Sequence, residues 1–194
     1  MIIKKNQINS AIKTLNSGNI LIYPTDTLYG LGADATNSSA IEKINKLKQR
    51  KSPLSIMVAS LKEINNYAVL DLKIMKQLEK IFPGPFTALL QSKKTNLSHL
   101  VQNKSNKIGI RIPDNSFCLN LLKKYKKPII TTSVNIHGEK ALNKVQEIEK
   151  KFSEINIYYQ NNNLDSNGST IIDFTETPPI IIRKGDGIYN YENI

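Results

Sequence analysis

Hydroxyls and fixed cations recur where short apolar runs give way to turns: Pro24-Thr25-Asp26-Thr27, Lys48-Gln49-Arg50, Arg111, Thr131-Thr132-Ser133-Val134-Asn135, Ser169-Thr170 and Arg183. Taken singly, these segments need no function. Thr and Ser suit strands and caps, and a basic residue after a helix complements its negative end. Together they match one chemical task. A triphosphate with an attached anionic co-substrate needs several cations for its charge and neutral donors for its geometry, without covalent chemistry from the protein.

The residues that other chemistries need are missing. There is no G-x-x-x-x-G-K-[ST] phosphate loop, no G-x-G-x-x-G after a strand, no C-x-x-C pair and no H-E-x-x-H. His99 and His137, the only imidazoles, lie far apart and outside any triad motif. A hydrolase built on a histidine base has little support, and both read as surface or loop residues. Cys118 falls on an apolar stripe with Leu121, Leu122 and Tyr125, which reads as a buried structural thiol.

Short apolar strands alternate with amphipathic helices, so the class is α/β, with helices packed on a twisted sheet. A first helix starts after Asn6, presents Ile8, Ala11, Ile12 and Leu15 on one stripe and stops at Gly18. Strand Ile20 to Tyr23 is halted by Pro24. The next helix carries Ala40, Ile44 and Leu47 and delivers Lys48 and Arg50 at its end, before Pro53 blocks continuation. In that setting Lys48 is a solvated helix-end lysine whose loss costs folding only tenths of a kcal/mol.

Strand Leu54 to Ala59 follows. Ser60 with Glu63 reads as a capping box, and a further helix with Ile74, Leu78, Ile81 and Phe82 ends at Pro83-Gly84-Pro85. Later strands are expected over Phe86 to Leu90, Lys107 to Ile112, Ile129 to Ser133, Ile155 to Tyr159, Thr170 to Phe174 and Ile180 to Arg183. Helices are expected over Phe117 to Tyr125 and Lys144 to Lys151. The Asn-rich stretch 161–168 reads as an exposed loop.

With 194 residues, 40% hydrophobic and 22% charged, the composition supports one sizeable core, hence a single domain over 1–194. No apolar run reaches membrane-spanning length and the N-terminus lacks a signal-peptide pattern, so a cytoplasmic protein without membrane contact is expected. Lys and Arg number 27 against 16 Asp and Glu, a net charge of +11. That field suits a phosphate-rich partner, but the lysines are spread through most segments, so a solvated surface and an RNA-binding face both remain open.

Tyr23-Pro24-Thr25-Asp26-Thr27-Leu28-Tyr29-Gly30-Leu31-Gly32, Lys48-Gln49-Arg50 and Ser133-Val134-Asn135 resemble motifs of the YrdC/TsaC family of threonylcarbamoyl-AMP synthases. So do Pro83-Gly84-Pro85-Phe86-Thr87, Ile108-Gly109-Ile110-Arg111-Ile112-Pro113, Ser169-Thr170-Ile171-Ile172-Asp173 and Ile181-Ile182-Arg183-Lys184-Gly185. The resemblance spans nearly the whole chain. It implies a twisted, mainly parallel or mixed sheet with flanking helices and a concave basic cavity.

By the same resemblance Thr25, Arg111, Thr131 and Ser169 would hold threonine, with the Arg111 fork on its carboxylate. Lys48, Arg50, Ser52, Lys107, Ser133, Asn135, Ala141 and Arg183 would surround ATP. Lys48, Arg50, Ser133 and Asn135 would form the catalytic group. The implied enzyme is a nucleotidyltransferase that joins L-threonine, bicarbonate or CO2, and ATP into threonylcarbamoyl-AMP and pyrophosphate. Mg2+ would be held by the triphosphate and water, and the product would feed the machinery that makes threonylcarbamoyladenosine in tRNA.

Three departures stand out. Only Lys51 and Ser52 separate Arg50 from Pro53-Leu54, Met57 stands where many relatives place a histidine near threonine, and 139–144 lacks the usual proline-and-threonine pattern. Asn143 with Gln146 reads as the cap of the next helix. The chain resembles the short form without a C-terminal domain. Two rival readings are a binder of tRNA or double-stranded RNA without turnover, and the carbamoyl-adenylate-forming domain of hydrogenase-maturation carbamoyltransferases, whose zinc-finger module is missing from this sequence.

Overall fold

The computed structural model describes residues 1–4, 7–49, 53–160 and 165–190. In chain order the elements are β1 (Ile2–Ile3), α1 (Gln7–Asn16), β2 (Leu21–Tyr23), β3 (Gly30–Gly32), α2 (Ser38–Lys48), β4 (Ser55–Met57), α3 (Leu61–Ile64), α4 (Leu72–Ile81) and β5 (Phe86–Gln91). There follow α5 (His99–Gln102), β6 (Lys107–Arg111), α6 (Ser116–Tyr125), β7 (Ile129–Ser133), α7 (Val145–Lys151), β8 (Asn156–Tyr158), β9 (Thr170–Asp173) and β10 (Ile180–Arg183). The strands form one sheet in the order β1-β8-β2-β3-β7-β4-β6-β5-β9-β10.

The sheet is mixed. The pairs β1–β8, β2–β8, β4–β6 and β5–β9 are parallel, and β2–β3, β3–β7, β4–β7, β5–β6 and β9–β10 antiparallel. The parallel share is smaller than expected, in part because β3, a strand the sequence pattern did not announce, runs antiparallel to both β2 and β7. Its Gly-Leu-Gly sequence has no apolar alternation, and what requires the glycines is tertiary. The Tyr23 ring lies across them: a Cβ at Gly30 would stand 2.8 Å from Tyr23 Cζ, and one at Gly32 2.5 Å from Tyr23 Cε1 and 2.8 Å from the Ile130 carbonyl. The Tyr23 hydroxyl donates to that carbonyl at 3.1 Å, which fixes the ring and the turn that follows it.

Strands Ile129–Ser133 and Ile180–Arg183 have the expected bounds, and the other expected strands differ at their ends by at most two residues. α1 stops at Gly18, whose φ of +64° lets Gly18 and Asn19 donate to Leu15 and Thr14 at 3.0 and 3.1 Å. α2 is ended by Gln49 in the left-handed conformation at φ 53°, ahead of Pro53. The Ser60–Glu63 capping box is not formed as expected. Ser60 makes no side-chain cap bond, and the Glu63 carboxylate accepts from the Ala59 amide and the Ser60 hydroxyl. α4 is a separate helix with its own cap, the Asp71 carboxylate accepting from Ile74 N at 2.7 Å. Asn143 does not cap α7, which begins after Lys144; its amide oxygen takes the Tyr29 N–H at 3.1 Å.

Neighbouring strand residues point to opposite faces. Ile22, Ile56, Ile130 and Ile157 join the larger apolar cluster with α2 residues Ile41 and Ile44. Leu21, Met57, Ile129 and Tyr158 join a second cluster with Ala11 and Leu15 of α1 and Phe117, Cys118 and Leu121 of α6. Cys118 is buried, as expected, and its thiol donates to the Pro24 carbonyl at 3.1 Å.

Asp34, which bridges to Ile129 just after β3, ties this scaffold together. Its carboxylate accepts from Thr36 N and Oγ1, Tyr125 OH and Lys127 Nζ at 2.8, 2.6, 2.6 and 2.9 Å. Burial would raise this carboxyl, but the hydrogen bonds from Thr36, Tyr125 and Lys127 hold it below its ordinary value. A carboxyl lowered on folding stabilises fully above its unfolded value and loses that contribution as pH falls through the folded one. Urea midpoints should therefore decline below about pH 4, and Asp34→Asn should make that decline shallower. An acid limb identical in both proteins would contradict the assignment.

Candidate active site

A cavity of about 400 Å³ is lined by residues of β3, β4, β5, β6, β7, β9 and β10 and by the loops that follow β2 and β7. Thr25, Lys48, Arg111, Thr131, Ser133, Asn135, Ala141, Ser169 and Arg183 all line it, so nine of the expected site residues meet around one space. Arg50 and Ser52 lie outside the described residues. Lys107 does not join the group. It begins β6 while Arg111 ends it, about 13 Å along an extended strand, and its ammonium pairs with Asp173 at 2.7 Å and Glu176 at 3.3 Å.

One wall joins the end of α2 to the end of β7. Lys48, only 3% exposed, donates through Nζ to the Ser133 carbonyl at 2.7 Å, the Asn135 carbonyl at 3.1 Å and Asn135 Oδ1 at 2.7 Å. Ser133 Oγ donates to the same Oδ1 at 2.7 Å. The two motifs are thus one hydrogen-bonded unit, although 85 positions separate Lys48 from Ser133. Lys48 is a buried strut, contrary to the expected solvated lysine, because left-handed Gln49 ends the helix and the chain after β7 folds back over its last turn. The Lys48 carbonyl also accepts from His137 N at 3.0 Å.

The opposite wall carries Arg111. Its Nη2 bonds Asp26 Oδ1 at 2.7 Å, with both side chains 7% exposed, and Thr27 Oγ1 lies 3.4 Å from Nη1 and Nη2. Burial raises the Asp26 carboxyl from its ordinary value, against the pull of the Arg111 guanidinium. Thr25 Oγ1 donates to the Leu28 carbonyl at 2.6 Å and accepts from Thr27 N at 3.0 Å, which closes the turn between β2 and β3. Met57, by contrast, sits in the second core cluster, where its sulfur lies 3.7 Å from the Tyr23 hydroxyl oxygen.

The floor is Ser169, whose Oγ lies 2.8 Å from Thr87 Oγ1. Arg183 grips it, with Nε and Nη2 donating to the Ser169 carbonyl at 3.2 and 2.7 Å and Nη2 to Ser169 Oγ at 3.1 Å. Burial lowers the Arg183 guanidinium from its ordinary value and the Arg111 charge adds to this, yet it stays cationic at neutral pH. Residues 185–187 clasp the same segment: Gly185 N donates to Thr170 Oγ1 at 3.0 Å, Asp186 N to the Gly168 carbonyl at 2.8 Å, and Thr170 Oγ1 to the Gly187 carbonyl at 2.6 Å.

Sequence reasoning left out Thr27, Thr87, His137 and Glu139, which also line the cavity. His137 is exposed in the loop after β7, as expected, and it also lines the cavity because that loop is drawn over Lys48. Thr87 could have been found, since it is the one polar residue in the apolar run 86–90. Lys48, Arg111 and Arg183 bring three cations to the cavity, against the Glu139 carboxylate that also lines it and Asp26 paired to Arg111, a set suited to a phosphate chain and a carboxylate together.

The family model Sua5_yciO_yrdC, described as telomere recombination, matches residues 13–185. The threonylcarbamoyl-AMP synthase of Psychromonas ingrahamii is 33% identical over 157 residues, 78% of this chain and 82% of that protein. Escherichia coli YciO, an uncharacterised protein, is 28% identical over 184 residues, 93% of this chain and 89% of YciO. Its crystal structure matches with a TM-score of 0.88 at 26% identity, covering 97% of this chain and 96% of YciO. P. abyssi Sua5 complexed with L-threonine matches with a TM-score of 0.86 at 25% identity, covering 95% of this chain and 57% of Sua5. This chain therefore spans little more than half the length of Sua5.

Proposed function

The chain belongs to the Sua5/YciO/YrdC family, and we propose that it is an L-threonylcarbamoyladenylate synthase, a nucleotidyltransferase acting on L-threonine, bicarbonate or CO2, and ATP. The observation that carries this reading is the convergence of Lys48, Ser133 and Asn135 on the same cavity as Arg111, Thr131, Ser169 and Arg183. The Arg111 fork takes the threonine carboxylate, and the hydroxyls of Thr25, Thr131 and Ser169 hold the rest of the amino acid. Lys48 and Arg183 face the triphosphate, with Ser133 and Asn135 orienting its oxygens.

The threonine amine bonds to the carbon of CO2 as one C=O π pair moves onto oxygen, and it loses a proton to water to give a carbamate. A carbamate oxygen then forms a bond to the α-phosphorus while the bond from that phosphorus to the oxygen bridging to the β-phosphorus breaks, and pyrophosphate leaves with the electron pair. The chain's contribution is alignment and charge neutralisation, which agrees with a site built from cations, hydroxyls and amides. Among the described residues no group of three or more His, Cys, Asp or Glu could hold a metal ion. Mg2+ would come with the ATP phosphates and keep its waters.

No helix among the described residues is long and apolar enough to cross a membrane, and the cytoplasm, where tRNA is modified, is the proposed location. The adenylate would pass to the machinery that makes threonylcarbamoyladenosine in tRNA, and the charge of +11 would favour contact with that RNA. Pyrophosphate release should require threonine and bicarbonate together, with ATP alone nearly inert, and mass spectrometry should detect a threonine-dependent adenylate. Equal turnover without threonine, or phosphate as the product, would mean a different reaction.

A further inference from the structure

We infer that Asp26 is a positioning residue for the amino-acid half of the site, holding the Arg111 guanidinium from behind so that its free edge meets the substrate carboxylate. The inference rests on the assignment of Arg111 to that carboxylate. Arg111 lines the cavity whereas Asp26 does not, and the two meet through a single contact of 2.7 Å between Nη2 and Oδ1, each side chain 7% exposed.

The geometry explains why a counter-ion belongs there. Arg111 ends β6, and at that depth a guanidinium without a partner would bear the full desolvation penalty and turn its fork toward whatever oxygen it could reach. Asp26 sits at the centre of the turn whose flanking threonines face the cavity. Thr25 and Thr27 are pinned to each other, and Thr27 Oγ1 stands 3.4 Å from both terminal nitrogens of Arg111. One short turn therefore sets the position of the guanidinium and of the hydroxyl assigned to the same substrate.

The ion pair is also half-made. Asp26 Oδ2 and Arg111 Nε are both buried without a hydrogen-bond partner, though a carboxylate and a guanidinium can form two parallel bonds. A pair selected for stability alone would close both. This one uses only Nη2 toward Asp26 and leaves Nη1 with no contact shorter than that to Thr27. Buried ion pairs contribute little net stability in any case, so orientation accounts for the arrangement better than folding energy does.

Calorimetric titration of the full chain with L-threonine, and separately with ATP, tests the inference. Asp26→Asn should weaken threonine about tenfold or more, the scale on which a small misplacement of a binding group acts, and leave ATP affinity unchanged. Adding Asp26→Asn to Arg111→Gln should cost threonine nothing further, because the residue acts only through the guanidinium. Unchanged threonine affinity in Asp26→Asn, equal losses for both ligands, or additive losses in the double variant would each overturn the inference. If Asp26→Asn alone does not fold, the double variant, which buries no unbalanced charge, decides against Arg111→Gln on the same criterion. A wild-type chain that binds ATP but no threonine would overturn the substrate assignment and this inference with it; wild-type binding left intact in Asp26→Asn would overturn only the latter.

Discussion

Lys48→Ala is expected to lower pyrophosphate release by about 10²- to 10³-fold, the range seen when one preorganised donor is removed from a developing charge. Two effects combine. The departing pyrophosphate loses a cation, and Asn135 loses one of the two donors that hold its amide oxygen, each at 2.7 Å. The same substitution should also cost about 2 kcal/mol of folding free energy, since three oxygens lose a charged donor and water can replace it only in part. A lysine at an ordinary helix end would cost tenths of that. Steady-state kinetics and thermal melting read the two effects separately. Wild-type turnover in the variant would remove Lys48 from the site. An unchanged melting temperature would show that water in the cavity replaces the ammonium completely.

Gly185→Ala should be the most damaging of the glycine substitutions near the site. A Cβ at that position would lie 2.2 Å from the Gly168 carbonyl oxygen, 2.5 Å from the Ser169 carbonyl carbon and 2.6 Å from its oxygen. All three are backbone atoms, so no side chain can swing aside and the clasp over 168–170 must open. The expected cost is about 3 kcal/mol, the upper end for overpacking, accompanied by loss of threonine binding as Ser169 and Arg183 separate. Gly138→Ala is the control. Its φ is +84° but nothing lies within 4 Å of the added methyl, so it should cost only about 1–2 kcal/mol of backbone strain and spare threonine. A Gly185→Ala protein with a wild-type urea midpoint and threonine affinity would show that the clasp does not shape the site.

Local pattern was enough to locate most strands and helices, and the motif residues Thr25, Lys48, Arg111, Thr131, Ser133, Asn135, Ser169 and Arg183 do share one cavity. What local pattern lacks is information about ends and about partners far along the chain. Alternation tells which face of β6 a residue occupies but not which end of the strand meets the cavity, and Lys107, which the resemblance implied beside ATP, lies at the opposite end from Arg111. Lys48 read as solvated because the segment that buries it, 133–137, is remote in sequence. β3 has no apolar rhythm to find, since its glycines answer to the Tyr23 ring. The Asp26–Arg111 pair spans 85 positions, and an aspartate within a turn ordinarily reads as a turn former.

The position of β8 between β1 and β2 has a consequence in time. Residues 2–23 cannot complete their share of the sheet until residues 156–158 arrive to pair with both. On a ribosome adding about 5–20 residues per second, that is a wait of roughly 7 to 27 seconds. Throughout it Leu21, Ile22 and Tyr23, all fully buried in the finished protein, border an open parallel edge. Newly made chain is therefore most exposed to aggregation, and most in need of a chaperone, at the strand that leads into the active site.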